Sequence, residues 1–247
     1  MLETIHGFIA IVFVLWRSLY VRTVVIFTVQ FDYTNRRLAQ EEFCMNQIIY
    51  LLRHGETEFN TQGRYQGVLD SSLTDVGIDQ VRQNANVLKS LIGNPHEWKV
   101  VSSPLGRALK STEIICDAIG YDVNKVEQDN RLTEVDVGHW AGLTTREIEK
   151  SWPSLFKNSD VYNWYFNAPN GESYDAVVNR LTHWLESIQQ EQNIIAVSHG
   201  LTGRILRGIY AGLEKENALK LEVAQDVFFK LSNKTIHRIS IDFDDFY

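Results

Sequence analysis

An apolar segment that ends abruptly in Arg-His-Gly is the feature that most constrains this chain. Residues 48–52 read Ile-Ile-Tyr-Leu-Leu, which is typical of a buried β-strand, and Arg53, His54 and Gly55 follow at once. In α/β proteins, ligands bind beyond the carboxyl ends of the strands. Arginine offers phosphate oxygens a planar fork of donors, histidine serves as nucleophile or base near neutral pH, and glycine lets a ligand approach the backbone. The tripeptide therefore predicts an anion site at a strand end, provided that other segments supply partners.

Size and charge exclude several function classes. The chain has 247 residues, of which 44% are hydrophobic and 22% charged, so we expect a folded protein rather than a disordered one. The formal net charge of −7 argues against nucleic acid or an anionic membrane as a partner, so an anionic ligand requires a local cluster of Arg and His. Two cysteines, Cys44 and Cys116, are too few for a disulfide framework. No zinc-type Cys/His spacing, Walker loop or dinucleotide fingerprint is present.

The first 44 residues differ from the rest of the chain. Residues 8–16 and 23–29 are apolar runs, separated by a stretch that contains two arginines. A membrane helix needs about 20 predominantly apolar residues, and central charges oppose insertion. We expect residues 1–44 to be an appendage that reflects start-site choice, with a weak membrane anchor as the alternative, and residues 45–247 to form the functional domain. The expected location is cytoplasmic, or membrane-tethered if the appendage is genuine.

From residue 45 onward, strand and helix signals alternate, which predicts a three-layer α/β/α sandwich with a mostly parallel central sheet. The predicted strands cover residues 48–52, 98–101, 193–197, 228–231 and 236–243. One predicted helix begins at Thr74, and a second begins after Ser103, which would be its N-cap residue. Four further helices are predicted over residues 144–151, 160–167, 173–190 and 201–210.

Three of the predicted strands end in polar residues in the same manner. The first delivers Arg53 and His54, the second leads to Arg107 on the next helix, and the third delivers His199 at a helix start, where backbone amides favour an anion. Because the carboxyl ends of parallel strands share one edge, these two arginines and two histidines would converge on one crevice. Such a set of donors suits a phosphoryl group. Glu134, in a Gly-rich stretch between them, is a candidate general acid.

Four short blocks occur in a specific order along the chain. They are Arg53-His54-Gly55-Glu56-Thr57-Glu58-Phe59-Asn60, Ser103-Pro104-Leu105-Gly106-Arg107-Ala108, Glu134 ahead of Gly138-His139-Trp140-Ala141-Gly142, and Ser198-His199-Gly200. Together with Gly63-Arg64-Tyr65-Gln66-Gly67 and Pro169-Asn170-Gly171-Glu172-Ser173, these blocks resemble the histidine phosphatase superfamily, in its phosphoglycerate mutase-like branch. The resemblance runs from about Met45 to about Phe243, and the four main blocks are highly specific when taken together.

The resemblance implies a role for each matching residue. His54 would be the nucleophile that accepts the phosphoryl group, and Glu134 would protonate the leaving oxygen and then activate water. Arg53, Arg107 and His199 would hold phosphate oxygens. The implied substrate-binding set is completed by Asn60, Gln66, Gly67 and Gly200. Two nearby guanidinium groups would lower the pKa of His54 and keep its imidazole neutral for attack. The scheme requires no metal and no cofactor.

A phosphatase acting on small phosphate monoesters competes with three alternatives. Cofactor-dependent phosphoglycerate mutases share the catalytic set but carry a longer insertion between the glutamate motif and the second histidine. Residues 134–199 are compact here, so we favour a phosphatase. A catalytically silent phosphate-binding module is the second alternative. The third is a metal site built from His54, Glu134, His139 and His199, which lacks HExxH-like spacing and would be opposed by the two arginines.

Residues 152–166 are rich in aromatic side chains, which form either an apolar lid over the pocket or ordinary packing between helices. The aromatic residues are Trp152, Phe156, Tyr162, Trp164, Tyr165 and Phe166. The lid would give loose specificity for small esters. The expected partner is a small phosphorylated metabolite, with no nucleic acid and no membrane. The oligomeric state and the physiological substrate do not follow from the residues.

Overall fold

A computed structural model of the chain describes residues 47–157 and 162–240, apart from the side chains of Phe156 and Lys157. The predicted appendage, residues 1–44, lies outside the described residues. Within the described part of the chain, no helix is both long enough and apolar enough to cross a membrane.

The described strands form one mixed sheet. They are β1 (Ile48–Arg53), β2 (Lys99–Ser102), β3 (Glu127–Gln128), β4 (Asn193–Ser198), β5 (Val227–Ser232) and β6 (Thr235–Ser240). The spatial order is β3-β2-β4-β1-β5-β6. Strands β3, β2, β4 and β1 run parallel, whereas β5 is antiparallel to β1 and β6 is antiparallel to β5. The predicted closing strands are therefore present, and they form the antiparallel side of the sheet.

Helices cover both faces of this sheet. The described helices are α1 (Glu58–Thr61), α2 (Asp75–Ile92), α3 (Gly106–Ile119), α4 (Thr145–Ser151), α5 (Pro153–Lys157), α6 (Tyr174–Ser187), α7 (Gly200–Tyr210) and α8 (Lys215–Ala218). Ile49 and Leu51 of β1 belong to a core cluster with residues of α6 and α7. Tyr50 and Leu52, on the opposite face of the same strand, pack with residues of α2 and α3. The alternation of side chains along β1 thus builds two cores, and the predicted three-layer sandwich is confirmed.

The parallel strands bring the predicted polar residues to one edge. In the β1–β4 register Arg53 is opposite Ser198, and in the β2–β4 register Ser102 is opposite Val197. The backbone N–H of His54 donates to the Ser198 carbonyl over 3.1 Å. The segments that follow β1, β2 and β4 therefore begin side by side, as expected for the carboxyl edge of a parallel sheet.

The chain after His54 packs directly against the first turn of α2. A Cβ atom on Gly55 would lie 2.2 Å from the carbonyl oxygen of Gly77, and a Cβ atom on Gly77 would lie 2.1 Å from the carbonyl oxygen of Glu56. Both positions therefore require glycine, because the two backbones touch. This contact fixes the path of the chain as it leaves the predicted nucleophile.

The predicted capping of α3 by Ser103 is wrong. The helix begins at Gly106, and its N-cap residue Leu105 makes no side-chain capping hydrogen bond. Instead, the carboxylate of Asp70 accepts hydrogen bonds from the backbone N–H groups of Gly106 and Arg107, so a distant loop caps this helix. The Ser103 hydroxyl accepts a hydrogen bond from the Leu105 N–H over 3.3 Å, before the first residue of the helix, and its Oγ lies 2.7 Å from Nε2 of His199.

The predicted helix over residues 160–167 is also wrong in its described part. Residues 158–161 lie outside the described residues, and Trp164–Asn167 form a single 3₁₀ turn. Trp164 and Tyr165 are adjacent in sequence, and both are buried in one cluster with Trp140 and Ile148. The backbone N–H of Phe166 donates to the Asn163 carbonyl over 3.1 Å, and that of Ala168 donates to the Tyr165 carbonyl over 3.3 Å, which is the three-residue hydrogen-bond spacing of a 3₁₀ turn.

Candidate active site

A cavity of about 350 Å³ opens at the carboxyl edge of the sheet. Eight of the nine predicted site residues line it, namely Arg53, His54, Asn60, Gln66, Gly67, Arg107, Glu134 and Gly200. The ninth, His199, lies beside a much smaller adjoining cavity of about 20 Å³, which Arg53 and Gly200 also line. The volume of the main cavity suits a small molecule.

His54 is held in one tautomer by two hydrogen bonds. Its side chain is buried, and its Nδ1–H donates to the carbonyl oxygen of Gly55 over 2.7 Å. The guanidinium Nε–H of Arg107 donates to His54 Nε2 over 3.2 Å. Because Nε2 accepts this bond, its lone pair is unprotonated, and Nε2 is the nitrogen available for attack on a substrate.

The surroundings of His54 also keep the whole imidazole neutral. Burial and the charges of Arg53 and Arg107 lower the pKa of His54 well below its ordinary value of 6.5. The hydrogen bond to the Gly55 carbonyl acts in the opposite direction but does not outweigh these causes. A neutral, oriented imidazole is the state that nucleophilic attack requires.

Arg107 is a buried cation held by the loop that follows α1. Its Nη2 donates to the Gly67 carbonyl and its Nη1 donates to the Leu69 carbonyl, each over 2.8 Å. Nη1 also lies 3.1 Å from Oδ1 of Asp70. Gly67 has a φ angle of +53°, a conformation that glycine adopts at little cost. These partners fix the guanidinium plane against His54.

Arg53 forms the second positive wall of the cavity. Its Nη1 donates to the Val223 carbonyl over 3.0 Å, whereas its buried Nε has no partner among the described residues. Burial lowers the pKa of Arg53 to about 10, with a smaller contribution from the charges of Arg107 and Arg204. A Cβ atom on Gly200 would lie 3.2 Å from Nε and Cζ of Arg53. The absence of a side chain at the start of α7 therefore lets the guanidinium group pack against the helix backbone.

His199 lies next to His54 but does not line the main cavity. Its ring centroid is 5.1 Å from that of His54, and its Nε2 lies 2.7 Å from the Ser103 hydroxyl. Burial and the charge of Arg107 lower the pKa of His199 well below 6.5. Its buried Nδ1 has no partner within the described part of the chain. This nitrogen is available to an additional ligand, as is Nε of Arg53.

Glu134 is anchored to the N-terminus of α7. Its Oε1 accepts hydrogen bonds from the Thr202 backbone N–H over 2.9 Å and from the Thr202 hydroxyl over 3.0 Å, and its Oε2 accepts from the Leu201 N–H over 3.2 Å. The backbone N–H of Val135 also donates to Oε1. We expected the N-terminal amides of α7 to face an anionic ligand. In the structure they hold the Glu134 carboxylate, which places it on the cavity wall.

Asn60 and Gln66 line the cavity, but their oxygens are already used within the protein. Asn60 Oδ1 accepts from the Thr57 backbone N–H and from Gln225 Nε2, each over 3.1 Å. Gln66 Nε2 donates to the Thr57 hydroxyl over 2.8 Å, and its Oε1 accepts from Ser71. These hydrogen bonds stabilise the conformation of the segment after β1 that lines the cavity.

Two charged residues that sequence reasoning missed belong to this region. Asp70 caps α3 and pairs with Arg107, and Arg204 of α7 lines the cavity. The spacing of four residues between Gly200 and Arg204 is a signal that could have found the latter, because such residues share a helix face. Asp70 precedes a turn without any comparable pattern, so only the folded chain reveals its partner.

The aromatic residues divide between packing and the cavity. Trp164 packs on Trp140 with ring centroids 5.2 Å apart and on Tyr65 at 4.9 Å, inside a buried cluster. Tyr165 belongs to the same cluster and also lines the cavity, whereas the Tyr162 side chain is exposed. The side chain of Phe156 lies outside the described part of the structure. Among the described members of the group, Trp152, Trp164, Tyr165 and Phe166 belong to the packed cluster, and Tyr165 is the member that lines the cavity.

The alternative of a metal site gains no support from the geometry. His139 is exposed and contacts Asn170, and it does not line the cavity. Among residues 47–157 and 162–240, no group of three or more His, Cys, Asp or Glu side chains is arranged to hold a metal ion. The donors that surround His54 are guanidinium groups, which oppose a cation.

Comparison with known proteins places this architecture in a family. A family model described as the histidine phosphatase superfamily (branch 1) matches residues 49–234. The chain belongs to this superfamily, in agreement with the resemblance of its sequence blocks. The members that carry phosphatase names support hydrolase activity on phosphate esters.

Individual relatives cover both activities of the phosphoglycerate mutase-like branch. The chain is 30% identical over 168 residues to phosphoserine phosphatase 1 from Hydrogenobacter thermophilus, and the alignment covers 67% of this chain and 75% of that protein. It is 36% identical over 183 residues to a probable phosphoglycerate mutase from Shigella boydii, and the alignment covers 71% of this chain and 80% of that protein. The solved structure of mycobacterial glucosyl-3-phosphoglycerate phosphatase with VO3 has a TM-score of 0.62 at 26% identity, and the match covers 78% of this chain and 96% of that one.

Proposed function

We propose that this chain is a phosphomonoesterase that hydrolyses small phosphate esters through a phosphohistidine on His54. The observation that carries the proposal is the state of His54, whose Nε2 is unprotonated, oriented by Arg107 and located on the wall of the cavity. Within the described part of the chain, the buried Nε of Arg53 and the buried Nδ1 of His199 have no hydrogen-bond partner, which suits the oxygens of a phosphoryl group.

In the first step, the lone pair of His54 Nε2 attacks phosphorus and the bond from phosphorus to the ester oxygen breaks. Glu134, in its protonated form, gives its proton to the departing oxygen, so the product alcohol leaves neutral. Arg53 and Arg107 balance the charge on the phosphoryl oxygens during transfer. The covalent intermediate replaces one difficult step by two easier ones.

In the second step, a water molecule attacks phosphorus and the bond between phosphorus and Nε2 breaks. The Glu134 carboxylate accepts a proton from this water, and inorganic phosphate leaves while His54 returns to its neutral state. The hydrogen bonds from Leu201 and Thr202 keep the carboxylate at the same place for both steps. In this scheme the arginines supply the positive charge, so we propose that the reaction is independent of metal ions and of cofactors.

A mutase would use the same first step but return the phosphoryl group to another hydroxyl. The compact segment between Glu134 and His199 favours water as the acceptor, because the longer mutase insertion helps to retain a bisphosphate intermediate. The test is a panel of phosphate esters that includes 3-phosphoglycerate with a bisphosphoglycerate primer. Release of inorganic phosphate by the wild type, abolished in His54→Asn, supports a phosphatase. Isomerisation of 3-phosphoglycerate without phosphate release would show that the protein is a mutase. Absence of both reactions would indicate a phosphate-binding module without catalytic activity.

We also propose that residues 45–247 form the catalytic domain, that residues 1–44 are an appendage, and that the protein acts in the cytoplasm on a small phosphorylated metabolite. The family match over residues 49–234 supports these limits of the domain. Mass spectrometry of the natural protein tests the appendage, since a peptide from within residues 1–44 would show that it is translated. Activity that persists in a chelator supports metal independence, and activity that is lost and then restored by a divalent ion would contradict it.

A further inference from the structure

The main cavity is lined by two arginines that the proposed reaction does not use, Arg64 and Arg204. Arg204 lies on α7, one helical turn after Gly200, and both residues line the cavity together with Leu201. Side chains on a helix tilt towards its N-terminus, so Arg204 reaches back along the cavity wall. Its Nε is buried and has no hydrogen-bond partner among the described residues.

The other three arginines of the cavity are all engaged by the protein. Arg53 donates to the Val223 carbonyl, and Arg107 is held by Gly67, Leu69 and Asp70. Arg64 pairs with Glu147 at 2.8 Å and also donates to the Gly142 carbonyl. A buried guanidinium nitrogen without any partner is costly, so the unpaired Nε of Arg204 points to a ligand group that completes it.

Arg204 also stands apart from the place where phosphoryl transfer occurs. Arg107 donates to Nε2 of His54, and Arg53 directly precedes His54 at the end of β1. Arg204 lies on α7, and its buried Nε makes no hydrogen bond to His54 or to any other described residue. Leu201 and Val223 also line the cavity, and their apolar side chains suit the carbon skeleton of an ester.

We infer that Arg204 binds a second anionic group of the substrate, a carboxylate or a second phosphate, carried on the alcohol part of the phosphate ester. The inference rests on the proposed function, because it takes the phosphoryl group to be bound at His54. A guanidinium fork matches the planar geometry of a carboxylate and equally that of two phosphate oxygens. The preferred substrates would then be small phosphate esters with a second anion, rather than neutral sugar or alkyl phosphates.

Ligand pairs that differ in the second anion provide the test. For a carboxylate the pair is 3-phosphoglycerate and glycerol 3-phosphate, and for a phosphate it is fructose 1,6-bisphosphate and fructose 6-phosphate. Dissociation constants are measured by calorimetry with the full chain carrying His54→Asn, so that no ester is consumed. The same substitution is then combined with Arg204→Gln or with Arg64→Gln, which removes an equal charge from the lining of the same cavity.

We expect the parent protein to bind the doubly anionic member of at least one pair more tightly, by about 10- to 100-fold, which corresponds to a hydrogen bond to a charged group. Arg204→Gln should abolish most of this ratio, whereas Arg64→Gln should preserve it. A ratio near one in the parent, or a ratio that survives Arg204→Gln, would overturn the inference. Measurements of phosphate release by the protein with intact His54 separate the two proposals. If the binding ratio depends on Arg204 but no ester releases phosphate, the proposed phosphatase activity is refuted and the anion subsite is not.

Discussion

The guanidinium Nε–H of Arg107 donates to Nε2 of His54 over 3.2 Å, so a fixed cation points at the lone pair of the nucleophile. This contact prevents protonation of the nitrogen and sets its direction, since Nδ1 is fixed by the Gly55 carbonyl. The same arginine is positioned to bind a phosphoryl oxygen that arrives at Nε2. In the proposed reaction, one side chain therefore links the activation of His54 to the binding of the phosphoryl group.

The first prediction concerns the protonation of His54. Burial, Arg53 and Arg107 all lower its pKa, so the imidazole should remain neutral when the pH falls through 6.5. Arg107→Gln removes one of these charges, so the pKa of His54 should rise in that variant. NMR titration of the His54 ring protons in the free protein measures both values. A wild-type midpoint at or above 6.5, or a lower midpoint in Arg107→Gln, would contradict the account.

The second prediction is a loss of stability in mild acid. In the unfolded chain His54 and His199 take up protons near their ordinary pKa of 6.5, whereas burial keeps both neutral in the folded protein. The unfolded state therefore binds more protons below 6.5, and the free energy of unfolding should fall as the pH is lowered through that value. Urea unfolding across this range measures the slope. The double variant His54→Asn, His199→Asn should show a flatter dependence, and an equal slope would show that other groups cause the loss.

The third prediction assigns Asp70 a positioning role. Asp70→Asn removes the carboxylate that caps α3 and pairs with Arg107, so the guanidinium should lose its fixed orientation. We expect a loss of stability of about 1–2 kcal/mol, because the carboxylate is partly exposed and its charged hydrogen bonds are weakened by solvent. The pKa of His54 should also change, a readout that simple destabilisation would not move. Asp79→Asn is the matched control, since Asp79 pairs with Arg82 on the exposed surface of α2.

The fourth prediction tests Glu134 as proton donor. Glu134→Gln should lower kcat by about 10²- to 10⁴-fold for alkyl phosphates, whose departing oxygen needs a proton. The loss should be much smaller for p-nitrophenyl phosphate, because its leaving group departs as a stable anion. Stopped or continuous assays with both esters give the two ratios. Equal losses for both esters would assign Glu134 a structural role, and Glu113→Gln on the exposed face of α3 serves as control.

The residues at the carboxyl edge of the parallel strands could be predicted from the sequence, because each strand end is marked by residues that are adjacent in the chain. Each of the apolar segments before His54 and His199 is short and uninterrupted, and the polar residue that follows it has to emerge at the strand end. The convergence of Arg107 with His54 followed from the parallel order of the strands. These inferences needed no knowledge of side-chain contacts, and the family match supports the motifs on which they depended.

Other features depend on contacts between distant segments and were therefore missed or wrong. The cap of α3 comes from Asp70, 36 residues earlier than Gly106, so Ser103 was the nearer but incorrect choice. The turn at Trp164 is set by packing on Trp140, which a helix-based interpretation of residues 160–167 could not include. The buried Nε of Arg204 has no partner among the described residues, and this property can be recognised only in the folded chain.

The central claim is tested most directly by trapping the covalent intermediate. Glu134→Gln, which slows the attack of water, is mixed with ³²P-labelled p-nitrophenyl phosphate, whose leaving group needs no proton from Glu134. The reaction is quenched in alkali, in which phosphohistidine is stable. The account predicts label on the peptide that contains His54, loss of this label on mild acid treatment, and no label when His54→Asn is added. Label that survives acid, label on another residue, or labelling that persists in the His54→Asn variant would contradict a phosphohistidine mechanism.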